Sequence, residues 1–174
     1  HIGNGGSITA VKDGKCVDTS MGFTPLAGIM MGTRSGDVDP SIIPYVMEQE
    51  GLNASEVVNA LNKKSGLLGL SGKSSDMRDV IYLVNEGDEQ AKLAFNKYVR
   101  TITDYIAKYY VLLNGADVIC FTAGVGENSV PVRKAVCENL KCLGIKIGED
   151  KNNIMGETAK ISSDDSSCLV YVIP

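Results

Sequence analysis

The sequence predicts a folded domain of the α/β or α+β class, and three observations predict it. A length of 174 residues with 44% apolar side chains is enough to bury one ordinary core. Between 88 and 113, Phe95, Tyr98, Val99, Ile102, Tyr105, Ile106 and Tyr109 recur mostly at steps of three and four, the period of a helix with one buried face. The run Ala116-Asp117-Val118-Ile119-Cys120-Phe121 has the length and apolar content of a strand, and a glycine turn leads from it towards a further helical segment.

Each element follows from its own residues. Residues 7–20 read as a hairpin: Ile8, Ala10 and Val11 precede a turn at Asp13-Gly14, and Cys16 and Val17 follow it. Gly22 to Asp39 is rich in Gly, Thr, Ser and Met without a clean period and reads as a long ordered loop with room for one short helix. Asp39-Pro40 reads as an N-cap and first helical residue of a helix that Gly51 stops after Glu50, with Pro44 kinking it or delaying its start. Asn53 and Glu56 have capping-box spacing for a helix to Lys63. Residues 64–76 read as a glycine-rich loop, Asp76 to Glu86 as a helix broken by Gly87, and Asn114-Gly115 as the end of the long helix. Thr122 to Ser129 is expected to turn the chain into a helix from Val130 to Leu140, with Pro131 in its first turn. Two late strands, near 144–147 and 168–173, are expected to flank a polar loop. No repeat or linker divides the chain.

Composition narrows the function. Lys+Arg 17 against Asp+Glu 21 leaves a net charge of −4, and no basic run exceeds Lys63-Lys64, which argues against a nucleic-acid partner. Five cysteines without a CxxC, and a single histidine, lack zinc-site spacing and fit free thiols in a reducing cytosol. No apolar stretch approaches the ~20 residues of a membrane span, and no charged-then-apolar leader opens the chain. The expectation is a soluble, cytoplasmic chain without a membrane partner. It begins at His1 and stops at Pro174 directly after a strand-like run, so both ends read as cut.

Three glycine-rich turns bear on chemistry: His1 to Ser7, Gly66 to Ser75, and Thr122 to Ser129. The middle one contains Gly72-Lys73-Ser74, the tail of a P-loop, but the first glycine position is Leu67 and no strand precedes it. Gly124-Val125-Gly126 begins like a dinucleotide fingerprint, yet the third glycine position is Ser129 and no βαβ unit with a following acidic residue is evident. The outer turns offer backbone N–H groups that an anion can approach closely because glycine has no Cβ. Tight turns alone account for the same glycines. Arg34 lies in the flexible run Gly32-Thr33-Arg34-Ser35-Gly36. A guanidinium held by a shaped loop suits a transferring phosphoryl group, and a plain surface arginine is the other reading. Asp76 and Arg78 read as a helix cap and its ion-pair partner, and His1 as native or as the remnant of a tag.

The runs HIGNGGSITAVKDGKCVDTSMGFTPLAGIMMGTRSGDVDP, NKKSGLLGLSGKSSDMRD and FTAGVGENS closely resemble the acetate kinases, over essentially the whole chain. The resemblance implies an α/β, ribonuclease-H-like domain of the superfamily of sugar kinases, actin and heat-shock chaperone ATPases. Residues 1–174 correspond to the family's C-terminal nucleotide-binding domain. The implied enzyme is a phosphotransferase with a carboxyl acceptor, moving the ATP γ-phosphoryl group reversibly to acetate, with Mg²⁺, to give acetyl phosphate and ADP. By the same resemblance His1, Ile2, Gly3, Asn4 and Gly5 contact ATP phosphates, which makes His1 native, and Arg34 stabilises the transition state. Asp76, Met77 and Arg78 line the adenosine pocket, while Gly124, Val125, Gly126, Glu127 and Asn128 hold the nucleoside side. A homodimer joined through this domain is also implied.

Several parts of the family pattern lie outside these residues. They are the N-terminal domain with its catalytic aspartate, another arginine, a histidine and the acetate pocket, the strand leading into HIGNG, the glutamate that helps hold Mg²⁺, and a final helix. No metal ligand is therefore assigned within the chain, and the fragment is expected to be inactive alone. Two other readings stay open: a propionate or butyrate kinase, and a non-catalytic nucleotide-binding or dimerisation module.

Overall fold

The computed structural model describes residues 1–174. In chain order its elements are β1 (Thr9–Lys12), β2 (Lys15–Thr19), α1 (Ile42–Glu50), α2 (Ala54–Lys63), α3 (Gly66–Ser71), α4 (Met77–Asn85), α5 (Glu89–Leu112), β3 (Val118–Phe121), α6 (Ala123–Asn128), α7 (Val130–Asn139), α8 (Glu149–Asn152), β4 (Ala159–Lys160) and β5 (Leu169–Val172). They fall into two units, His1–Ser20 with Val99–Pro174, and Met21–Tyr98. No linker marks the second boundary in the sequence because it lies inside the continuous helix α5.

In the first unit, β1 and β2 form the expected antiparallel hairpin. Asp13 and Gly14 turn it at φ 51° and 73°, the left-handed pair that matches the twist of the strands. A separate sheet has the order β3-β5-β4, with β3 parallel to β5 and β4 antiparallel to it. Parallel neighbours need a crossover, and α6, α7 and α8 lie within it, so β3 and β5 are joined in a βαβ manner that the sequence did not suggest. Phe121, Val132, Val136, Leu140, Ile145, Ile161, Val170 and Val172 form its core, all at most 2% exposed. β3 is an edge strand. Its free side borders an apolar groove lined by Ile2, Ala10, Ile106, Tyr109 and Ile119.

The second unit is helical apart from residues 22–39, which are ordered without a helix. That segment is held because it supplies core: Ile29, Met30 and Met31 are buried, as are Val57, Leu67, Met77 and Val80. Asp37 closes the loop, its carboxylate accepting from the Gly28 N–H at 2.8 Å and its own N–H donating to the Gly28 carbonyl at 2.9 Å. In α5 the buried residues Ala91, Ala94, Tyr98, Ile102, Ile106 and Tyr109 keep the helical period, and Asn114 and Gly115 end the helix at φ 58° and 103°.

Other expectations change. The first helix starts at Ile42 rather than Pro40, because the Asp39 carboxylate accepts from the Ser41 N–H at 2.8 Å and closes a separate turn ahead of it. Pro44 then sits in the first turn, where its missing N–H has no intrahelical partner to lose. Residues 64–76 contain the helix α3, and the Thr122–Ser129 turn is itself the short helix α6. Residues 144–147 are not a strand: Ile147 makes one isolated bridge to Ser162, and the real partner of β5 on that side is β4. The polar loop that follows contains α8. No helix is long and apolar enough to cross a membrane.

Candidate functional site

The first unit brings two of the glycine turns together at Ile2. The Ile2 side chain is buried, which fixes its backbone. Its N–H donates to the Thr122 carbonyl at 2.9 Å, and its carbonyl accepts from the N–H groups of Val125 at 2.8 Å and Gly126 at 3.0 Å. Beyond it the chain reverses: the Gly3 N–H donates to Gly5 O, and the Ser7 N–H to His1 O, each at 2.9 Å. A Cβ at Gly3 would stand 3.3 Å from Gly5 O, so glycine suits this tight reversal. The N–H groups of Asn4 and Gly5, both exposed, make no hydrogen bond within the chain.

On the facing turn, Ala123 enters α6 at φ 65°, a left-handed conformation that a non-glycine residue adopts at a cost. Gly126 packs on β3, where a Cβ would meet the Phe121 carbonyl carbon at 3.4 Å, whereas Gly124 faces open space. The Asn128 amide donates to Gly124 O at 3.0 Å and to the Glu127 carboxylate at 3.1 Å, tying the exposed end of the turn to itself.

The second unit carries the other expected residues. The Arg34 loop is seated on the corner between α2 and α3. The Ser35 N–H donates to Leu61 O, the Ser65 N–H to Thr33 O, the Leu67 N–H to Met31 O and the Leu68 N–H to Gly32 O, all at 2.9 Å. The Thr33 hydroxyl adds a bond to Asn62 O at 2.9 Å. Gly66, at φ 63°, presses against this loop so closely that a Cβ would lie 2.1 Å from Met31 O and 2.8 Å from Arg34 O. The Arg34 side chain is half-buried. It touches Met31 Sδ at 3.6 Å and forms no ion pair, so its fork of donors is available at a depression shared with Asn59, Asn62 and Lys63.

Asp76 caps α4, accepting from the Arg78 N–H at 2.8 Å, and pairs in bidentate fashion with the Arg78 guanidinium at 3.0 and 2.6 Å. The guanidinium first, and the backbone bond second, hold the Asp76 carboxyl below its ordinary value. Met77, between them, is 4% exposed and belongs to the core of its unit.

Arg133 escaped notice in the sequence. It is fully buried, and its guanidinium bonds to the Gly126 and Glu127 carbonyls of the glycine turn. Its signal was positional: Arg133 stands three and four residues before the buried Val136 and Cys137, on the inward face of α7. No cluster of three or more His, Cys, Asp or Glu side chains is arranged to hold a metal ion.

The fold and these loops define an α/β protein in which two glycine-rich turns meet at the end of a parallel strand and leave backbone donors open. The chain belongs to the Acetokinase family, whose pattern it matches over residues 1–174. It is 56% identical over 174 residues to the acetate kinase of Phocaeicola vulgatus, covering all of this chain and 44% of that protein. The crystal structure of Porphyromonas gingivalis acetate kinase superposes with a TM-score of 0.96 at 45% identity, again over 100% of this chain and 44% of the other. A propionate kinase from Francisella tularensis gives 0.94, also at 45% identity, over 99% and 44%. The chain thus spans less than half the length of these relatives.

Proposed function

We propose that residues 1–174 are the C-terminal, nucleotide-binding domain of a cytoplasmic acetate kinase. The domain would belong to the ribonuclease-H-like superfamily of sugar kinases, actin and heat-shock chaperone ATPases. The enzyme works as a homodimer on ATP and acetate, with neither nucleic acid nor membrane as partner. One observation carries the reading: the Ile2 backbone joins both glycine turns and leaves the amides of Asn4 and Gly5 without partners. Family membership and the similarity to acetate kinases support it.

In the proposed reaction a carboxylate oxygen of acetate attacks the γ-phosphorus of ATP in line. The new O–P bond forms as the bond to the β–γ bridging oxygen breaks, and ADP leaves. His1, Ile2, Gly3, Asn4 and Gly5 serve the phosphates, the N–H groups of Asn4 and Gly5 being the ones free to donate. Gly124, Val125, Gly126, Glu127 and Asn128 serve the nucleoside side, and Asp76, Met77 and Arg78 the adenosine. Arg34 neutralises the equatorial oxygens of the transferring group. Mg²⁺ would supply further neutralisation of phosphate charge in such a reaction.

The propionate kinase similarity, equal in identity to that of the acetate kinase structure, favours a longer acyl substrate as the second reading. Acyl hydroxamate formation by the full-length protein with ATP and acetate, propionate or butyrate separates the two. Arg34→Ala should lower turnover by about 10³-fold or more with a much smaller change in ATP affinity. Near-normal turnover in that variant would reject the assignment of Arg34. The 174-residue chain alone should form no hydroxamate.

A further inference from the structure

Arg133 is the most deeply buried charge in the chain and has no anionic partner. A buried guanidinium needs all its N–H groups satisfied. Nε donates to Asn152 Oδ1 at 2.8 Å. One terminal nitrogen donates to Gly126 O at 3.0 Å and Glu127 O at 2.8 Å, and the other to Asn152 O and Ile154 O, each at 2.8 Å. Gly126 and Glu127 lie at the C-terminal end of α6, and Asn152 ends α8. Helix C-termini carry unpaired carbonyls and partial negative charge. Two such ends converge on one cation, and the carbonyls replace the missing carboxylate. Asn152 is itself oriented, its amide donating to Val130 O at 3.1 Å.

Gly126 is one of the two residues whose N–H groups grip the Ile2 carbonyl. Across the turn, a Cβ at Gly156 would lie 3.7 Å from the Asn128 side chain, so the segment after Asn152 runs beside the turn's exposed end. From this geometry we infer that Arg133 is a positioning residue for nucleotide binding: it fixes the Gly124–Asn128 turn against the Asn152–Gly156 segment and thereby sets where the nucleoside lies. The inference rests on the function proposed above and touches neither the acyl substrate nor Arg34.

The test uses the full-length protein, with kcat and KM measured separately for ATP and for acetate. Arg133→Lys keeps the charge but cannot span both helix ends, and it should raise KM for ATP about tenfold or more while kcat and KM for acetate stay within about threefold. Asn152→Ala removes only the Nε partner and the bond to Val130, and it should act in the same direction by less, which decides the matter if Arg133→Lys does not fold. Folded variants with an unchanged KM for ATP, or with all three constants degraded together, would overturn the inference. Should the wild-type protein transfer no phosphoryl group, the parent reading fails and the positioning claim still stands or falls on amide exchange. Exchange at Val125 and Gly126 should then be faster in Asn152→Ala than in wild type, and equal rates would reject it.

Discussion

Arg34 and Gly66 form one device, because a residue with no side chain is what allows the arginine loop to lie on the α2–α3 corner. Adding a methyl group at 2.1 Å from Met31 O forces the backbone to move. Gly66→Ala should therefore cost about 1–3 kcal/mol of stability and, in the full-length protein, lower turnover more than ATP affinity. A melting curve like that of wild type would contradict this. Asp76 gives a prediction in pH. Its folded pKa lies below the ordinary 3.8, so its pairing with Arg78 stabilises fully above that value and is lost as pH falls through the lower, folded pKa. Carboxyl carbon shifts of Asp76 followed by NMR should give a midpoint below 3.8, and a midpoint at or above it would remove the pair as the cause.

Among the elements, those written in local chemistry were legible. The Asn53 carboxamide accepts from the Glu56 N–H at 3.0 Å while the Glu56 carboxylate accepts from the Asn53 N–H at 2.8 Å, so spacing alone located the start of α2. Asn53→Ala should lower stability by about 1 kcal/mol in chemical denaturation. No change would mean that the end of α2 is held by packing instead. α3 was not legible, because Leu67 and Leu68 spend their N–H groups on Met31 and Gly32, more than thirty residues upstream. The 144–147 segment misled for the converse reason. Its apolar residues suit a strand, but only Ile147 finds a bridging partner, while Lys146 takes the Ser166 hydroxyl. Glycine positions announced the turns of the candidate site, whereas its buried clamp, Arg133, was hidden among surface charges that look the same in a sequence.

For the whole molecule, burial sorts the thiols. Cys16, Cys120 and Cys142 are exposed, whereas Cys137 and Cys168 are buried and burial pushes their pKa values up to about 12 and about 11. A thiol-reactive reagent near neutral pH should label the exposed three in the native chain and all five only after unfolding; native labelling of Cys137 would contradict the core described for the first unit. That core also supports the meeting of the two glycine turns, since the buried Ile2 and Phe121 side chains anchor the residues that carry them. The meeting is tested most directly by NMR of the ¹⁵N-labelled chain during titration with ADP and, separately, with adenosine. ADP should shift the amides of Asn4 and Gly5 together with those of Gly124 to Asn128 in one saturable event, and adenosine should leave Asn4 and Gly5 unmoved. Saturating ADP that does not perturb Asn4 and Gly5 would contradict the proposal that this junction holds nucleotide phosphate.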